Sequence, residues 1–250
     1  MERENRKVQP QIGELDFHAR EAINMLRGSI QMAGYQTKVF AITSALAHEG
    51  KSSLAFRLAC SLAGLEGKRV CYVDSDIRNS RTKKRYKITQ KTIGLSEYLC
   101  GDAEVEDVVY EADRPGLELV FSGKVAPNPS ELCSGSRMDA LLAWLKERYD
   151  YVIVDTPPVN LVVDAAIIAP KCDVALVVVE CGVTAQQELV HTIDVLERSN
   201  AKILGVVLNK VNSRNNRYGK YGRYGKYGKG SGYGRYGYKK YGYGYGEEQK

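Results

Sequence analysis

The sequence predicts a doubly wound, mostly parallel α/β domain followed by a segment that cannot fold alone. Three observations carry that expectation. Short apolar runs alternate with helix-period segments through the body of the chain, as strand–helix–strand units do. The runs Tyr151–Val154 (YVIV) and Val174–Val179 (VALVVV) show no polar alternation, as expected of parallel strands covered on both faces. Residues 213–250 repeat Tyr-Gly-Lys/Arg with a period near three, then Tyr-Gly with a period of two, and contain no aliphatic residue to bury.

Taken in order, residues 14–34 place Phe17, Ala22, Leu26 and Ile30 at helical spacing, ending near Gly34. Lys38–Thr43 reads as a strand and Lys51–Ala63 as a helix. Arg69–Val73 and Leu117–Ser122 read as strands, with a helix at Arg137–Arg148. Tyr151–Val154, Val174–Val179 and Ile203–Leu208 complete the strands, with helices near 162–169 and 184–199 between them. The resulting organisation is an N-terminal helical segment (1–36), an α/β domain (37–212) and a disordered tail (213–250).

The net charge of +6 resembles a nucleic-acid signal until it is divided along the chain. From Arg214 onward ten Lys/Arg face only Glu247 and Glu248, a net of +8, so the remainder carries −2. Attraction to anions therefore belongs to the tail, and no nucleic-acid partner is expected of the body. The six cysteines (60, 71, 100, 133, 172 and 181) form no C-x-x-C pair, which predicts reduced thiols and no metal site of their own. MERENRKVQP has no apolar signal core, and the longest apolar stretch is far too short to cross a bilayer. The expectation is a soluble intracellular protein that reaches a membrane only through a partner.

Three motifs carry chemistry. Ala45-Leu46-Ala47-His48-Glu49-Gly50-Lys51-Ser52-Ser53 lies between the first predicted strand and its helix. It matches the P-loop pattern G-x-x-x-x-G-K-[ST] except at its first position, Ala45. The loop, through Ala45, Glu49, Gly50, Lys51, Ser52 and Ser53, is expected to bind ATP. Backbone N–H groups at the helix N-terminus hold phosphates, Lys51 neutralises the β- and γ-oxygens and Ser52 reaches Mg²⁺. The fold is thus of the P-loop NTPase type. The second motif, Val73-Asp74-Ser75-Asp76-Ile77-Arg78, delivers two carboxylates to the C-terminal end of a strand, where ligands bind in such sheets. Arg78 either contacts phosphate, steadies the Asp pair, or makes a surface salt bridge. The third, Tyr151 to Pro158 (YVIVDTPP), delivers Asp155 from a buried strand into the Mg²⁺ shell with Ser52 and Asp76. His18, His48 and His191 receive no catalytic role. Beside a phosphate site, the tail tyrosines Tyr218, Tyr221, Tyr224, Tyr227, Tyr233, Tyr236, Tyr238, Tyr241, Tyr243 and Tyr245 read as phosphoacceptors. About 30 glycine-rich residues span roughly 30 Å, enough to reach an active site.

Together these motifs resemble the bacterial tyrosine kinases of capsule and exopolysaccharide synthesis, over almost the whole chain. D-x-D-x-R, D-T-P-P, the segment Lys124–Leu132 (KVAPNPSEL) and the terminal tyrosine cluster all match. The resemblance implies an ATP- and Mg²⁺-dependent kinase that phosphorylates its own tail, with Asp74 as the proton acceptor and Asp76 in the metal shell, or the reverse. It places Glu21 and Arg27 on an E-x-x-R-x-x-R oligomerisation helix in which Asn24 replaces the first arginine. It makes Asn209 a candidate adenine contact, beside a plain turn-forming role. It further implies a transmembrane activator of the polysaccharide co-polymerase type, a ring-like homo-oligomer as large as an octamer, a cognate tyrosine phosphatase, and a position at the inner face of the cell membrane.

Two rival readings use the same residues. A partitioning or septum-positioning ATPase shares the fold, but its loop carries an extra lysine where this chain has Leu46, and it needs no tail tyrosines. A nucleic-acid-binding protein would use the Tyr/Arg/Lys/Gly tail for stacking and phosphate contact, but the nucleotide motifs and the acidic body argue against it.

Overall fold

Strands form where β-branched and aromatic residues run together, and helices where the apolar period lengthens to 3.6. The computed structural model describes residues 6–211; the predicted tail, with its ten tyrosines, lies outside the described residues. Lys7–Val8 (β1) and Phe17–Met32 (α1) come first. The α1 helix starts at Phe17, the first residue of its apolar period, rather than at residue 14, because Asp16 caps it, accepting from the Ala19 N–H at 2.8 Å. Val39–Ser44 (β2) is buried throughout and leads to Lys51–Ala63 (α2) and Val70–Asp74 (β3).

The following region is built of short pieces: Thr82–Arg85 (α3), Leu95–Cys100 (α4), Val105–Val108 (α5), Val109–Ala112 (β4), Leu117–Val120 (β5) and Pro129–Ser134 (α6). Of these only β5 was legible as an apolar run; the others are too short for a period to declare itself. Ser136–Arg148 (α7), Tyr151–Asp155 (β6), Asp164–Ile168 (α8), Val174–Glu180 (β7), Gln186–Arg198 (α9) and Ile203–Asn209 (β8) complete the elements of the described residues close to expectation.

The eight strands form one sheet in the order β1-β4-β5-β3-β6-β2-β7-β8, parallel except for the β4–β5 pair. Alternate residues of each central strand face opposite cores. Phe40, Ile42, Tyr72, Ile153 and Val178 pack beneath α1 and α2; Val39, Ala41, Val73, Val154 and Val177 pack beneath the helices of the other face, α7 among them. That two-sided burial is why the strands lack polar alternation. The predicted N-terminal segment is part of this body, with Ile30 buried against the α2 side.

Candidate nucleotide site

The functional residues lie at the C-terminal ends of the central strands. β3 and β6 run one residue further than their apolar stretches, so Asp74 and Asp155 are the final strand residues and face each other across the ladder. β2 ends at Ser44 on the other side of β6, and the loop that follows wraps back to α2. Gly50 opens α2 with φ +93°, a left-handed conformation that suits glycine. A Cβ at this position would lie 2.2 Å from Asn209 Nδ2.

The loop is held from outside. Asn209 Nδ2 donates to the Glu49 carbonyl at 2.8 Å, and Lys210 Nζ donates to the His48 carbonyl at 2.8 Å while pairing with Glu180 at 2.7 Å. The Glu49 carboxylate accepts from the Leu46 N–H at 2.7 Å and from the Thr184 hydroxyl. Ala45 is fully buried, so the side chains of Ala45 and Glu49 frame the loop rather than face the cavity. Asn209 occupies the cavity wall, with its amide committed to the loop backbone.

A cavity of about 620 Å³ opens here, lined by Gly50, Lys51, Ser52, Ser53, Asp74, Asp76, Arg78, Asp155 and Asn209 together. Lys51 Nζ lies 3.6 Å from Asp155 Oδ1 and 3.2 Å from Ser52 Oγ. Asp155 is fixed from behind: Tyr72 Oη, fully buried, donates to Oδ2 at 2.9 Å and lies 3.3 Å from Thr82 Oγ1. Oδ1 is buried with no hydrogen-bond donor. An acceptor left open beside a lysine, a serine hydroxyl and a half-buried Asp76 suits a divalent cation carried in on phosphate oxygens. Magnesium in such sites keeps waters and needs only one or two protein ligands.

Asp74 is buried, accepts from the Ser80 hydroxyl and from the Asp76 N–H at 3.3 Å. Burial, and then the charge of Asp155, push its carboxyl up to about 7. Burial also raises Asp155, opposed by the Lys51 charge, the nearby Ser52 hydroxyl and the hydrogen bond from Tyr72. Asp76 sits at the rim and accepts from the Asn79 N–H at 3.0 Å. Arg78 turns away from the Asp pair: Nε and Nη2 reach Asp164 at 2.6 and 3.0 Å, and Nη2 reaches Ser130 Oγ at 2.8 Å. Asp164 is fully buried, so this pair ties the second motif to the start of α8. Glu21 accepts from Asn24 Nδ2 at 3.1 Å, and Arg27 donates to Ser61 O and Oγ at the end of α2.

Sequence reasoning missed Tyr72, Ser80, Thr82 and Asp164, and it missed Arg81, Arg85 and Lys210 on the cavity wall. Asp164 carried a signal, as a carboxylate inside the apolar run V-V-D-A-A-I-I. Tyr72 carried none, since a tyrosine in a buried strand reads as core.

Fold and site together define a P-loop nucleotide-binding domain of the doubly wound class. The family model described as an AAA domain matches residues 37–206. The chain is 41% identical over 192 residues to the tyrosine-protein kinase CpsD of Streptococcus agalactiae, covering 77% of this chain and 83% of that protein. Its fold matches the kinase domain of Escherichia coli tyrosine kinase ETK with a TM-score of 0.73 and 31% identity, over 86% of this chain and 80% of that one. The cell division ATPase MinD of Pyrococcus furiosus matches at a TM-score of 0.61 and 22% identity, over 71% and 74% of the two chains, a likeness of fold alone. The chain belongs to the bacterial tyrosine-protein kinases. Among the described residues no helix is long and apolar enough to cross a membrane.

Proposed function

We propose that this chain transfers the γ-phosphoryl group of ATP to the tyrosines of its own C-terminal tail, and that it does so on a neighbouring copy. The observation that carries the reading is the convergence of Lys51, Asp74, Asp76 and Asp155 on one cavity, in a chain whose sequence ends in ten tyrosines. ATP lies with its phosphates on the loop between β2 and α2, where the N–H groups of the first turn of α2 and Lys51 take their charge. Ser52, Asp76 and Asp155 would hold Mg²⁺, which supplies charge neutralisation at the β- and γ-oxygens. Tyr72 fixes Asp155 so that Oδ1 remains turned toward the cavity.

The phenolic oxygen attacks the γ-phosphorus, the bond from that phosphorus to the β,γ-bridging oxygen breaks, and ADP departs. The phenol's proton passes to Asp74, whose carboxyl near 7 is matched to accepting it at neutral pH. Arg78 acts from a distance, by locking the D-x-D loop to Asp164 and Ser130. Each phosphate adds about −1.5 to −2, so four or five cancel the tail's +8 and further ones make it acidic. That charge reversal loosens the self-association expected of α1, and so regulates the export or assembly of a capsular or extracellular polysaccharide with a membrane-bound activator.

Mixing two variants tests transfer between copies: a full-length Lys51→Met chain and an otherwise wild-type chain ending at residue 212. Phosphotyrosine on the full-length inactive partner is the expected result. Its absence, when the wild type alone labels itself, would restrict transfer to the same chain.

A further inference from the structure

A second concavity, of about 540 Å³, lies on the α1–α2 side, where three separate elements bring four arginines together. Arg20 and Arg27 come from α1, one heptad apart on the same stripe; Arg57 comes from α2 and Arg114 from the β4–β5 turn. Glu14 is the carboxylate on its lining, leaving a local excess of three positive charges. Among the described residues, none of the four forms an ion pair. Two are instead oriented by neutral acceptors: Arg27 Nη1 donates to Ser61 O and Oγ at 3.1 and 3.2 Å, and Arg57 Nη2 donates to the Gly13 carbonyl at 3.1 Å. Their remaining N–H groups stay free to donate, and Arg20 and Arg114 are exposed at the rim. Beside the guanidiniums stand Ile12 and Ile23, half-buried and apolar.

We infer that this groove is a receptor for phosphotyrosine, and that its occupant is the phosphorylated tail of this chain. The ligand class follows from the lining. Planar guanidinium forks suit a phosphate's oxygens, and they stack on aromatic rings, while the isoleucines give the ring an apolar wall. A bare inorganic anion would use only the arginines. The choice of tail follows from charge. Unphosphorylated it carries +8 and is repelled by four arginines; phosphorylated it becomes the complementary partner. The inference rests on the proposed tail phosphorylation, and it adds a consequence. Arg27 belongs both to this groove and to the helix expected to mediate self-association, so an occupied groove competes with assembly. Product phosphates thus carry a second, contact-specific signal beside their bulk charge.

The test uses the full chain without ATP and a synthetic fluorescent peptide spanning residues 233–245, in two forms. One carries phosphate on Tyr238, Tyr241 and Tyr243; the other carries none. Fluorescence anisotropy at low salt is expected to show binding of the phosphopeptide alone. Free phosphotyrosine should compete better than inorganic phosphate, and ADP should not compete. Arg20→Gln with Arg114→Gln, both exposed, should weaken binding about ten-fold or more with the thermal midpoint unchanged. Arg57→Gln provides a second site on a different helix.

Four results would overturn the inference: equal binding by the variants, displacement by ADP, equal competition by inorganic phosphate, or no binding at all. Because the peptide is made chemically, a chain that binds it but never labels itself would refute the kinase reading and leave the groove standing.

Discussion

Replacing Asp74 by Asn should abolish phosphorylation and stabilise the metal-free protein at the same time. Asp74 is a buried carboxyl beside a second buried carboxyl, and together these push it from an ordinary 3.8 up to about 7. A raised native pKa means the folded protein holds a proton that the unfolded chain has released between about pH 4 and 7. Stability contributed by the protonated form is therefore fully present below pH 4, falls as pH rises through 7, and is flat above. The whole displacement corresponds to about 4 kcal/mol at most. The amide keeps the volume and still accepts from Ser80, so a gain of about 2–4 kcal/mol at pH 8 is expected, against none at pH 4. For a body of this size that is a rise of roughly 5–15 °C in the melting midpoint.

The assay is calorimetric or fluorescence melting of both proteins in chelator from pH 4 to 8, with tyrosine phosphorylation measured in parallel. Adding Mg²⁺ and nucleotide should narrow the gap, because a cation offsets the charge that the variant lacks. A variant less stable than wild type at pH 8, or a difference that does not change with pH, would refute the reasoning about Asp74.

Three further outcomes follow from named contacts. Tyr72→Phe removes the donor to Asp155 Oδ2; it should raise the Mg²⁺ concentration for half-maximal activity about three- to ten-fold while metal-free nucleotide binding, read with a fluorescent ADP analogue, stays unchanged. Arg78→Gln leaves the fully buried Asp164 without its cation and should cost about 2–3 kcal/mol, more than Asp164→Asn, as denaturant unfolding of the two variants would reveal. Gly50→Ala places a methyl 2.2 Å from Asn209 Nδ2 at a left-handed position, so nucleotide affinity should fall more than ten-fold by titration calorimetry.

How far the sequence could be read depended on element length and on how local each contact is. The apolar runs declared β2, β6 and β7 because burial on both faces leaves its mark on every residue, and β8 because its run is apolar although Leu204, Val206 and Leu208 are exposed at the sheet edge. Short elements without a continuous apolar run, such as β1, β4 and α3 to α6, leave no period to find. The loop and its three carboxylates were legible because phosphate chemistry demands them in sequence order. What orients them was not. The Tyr72–Asp155 contact spans 83 positions and the Arg78–Asp164 contact spans 86, and neither partner announces the other. The Glu49 clasp on Thr184 spans 135 positions, which is why Glu49 read as a nucleotide contact although its side chain braces the loop.

The central claim is tested most directly by the intact mass of the purified full-length chain after incubation with Mg²⁺ and ATP, beside a Lys51→Met variant. The cytoplasmic segment of a membrane-bound activator would be added to both. The account predicts a ladder of phosphate additions in the wild type only, mapping to the peptide that spans residues 218–245. ATP hydrolysis by the wild type with no change in its mass would contradict it, and would make the chain a regulatory ATPase of the same fold.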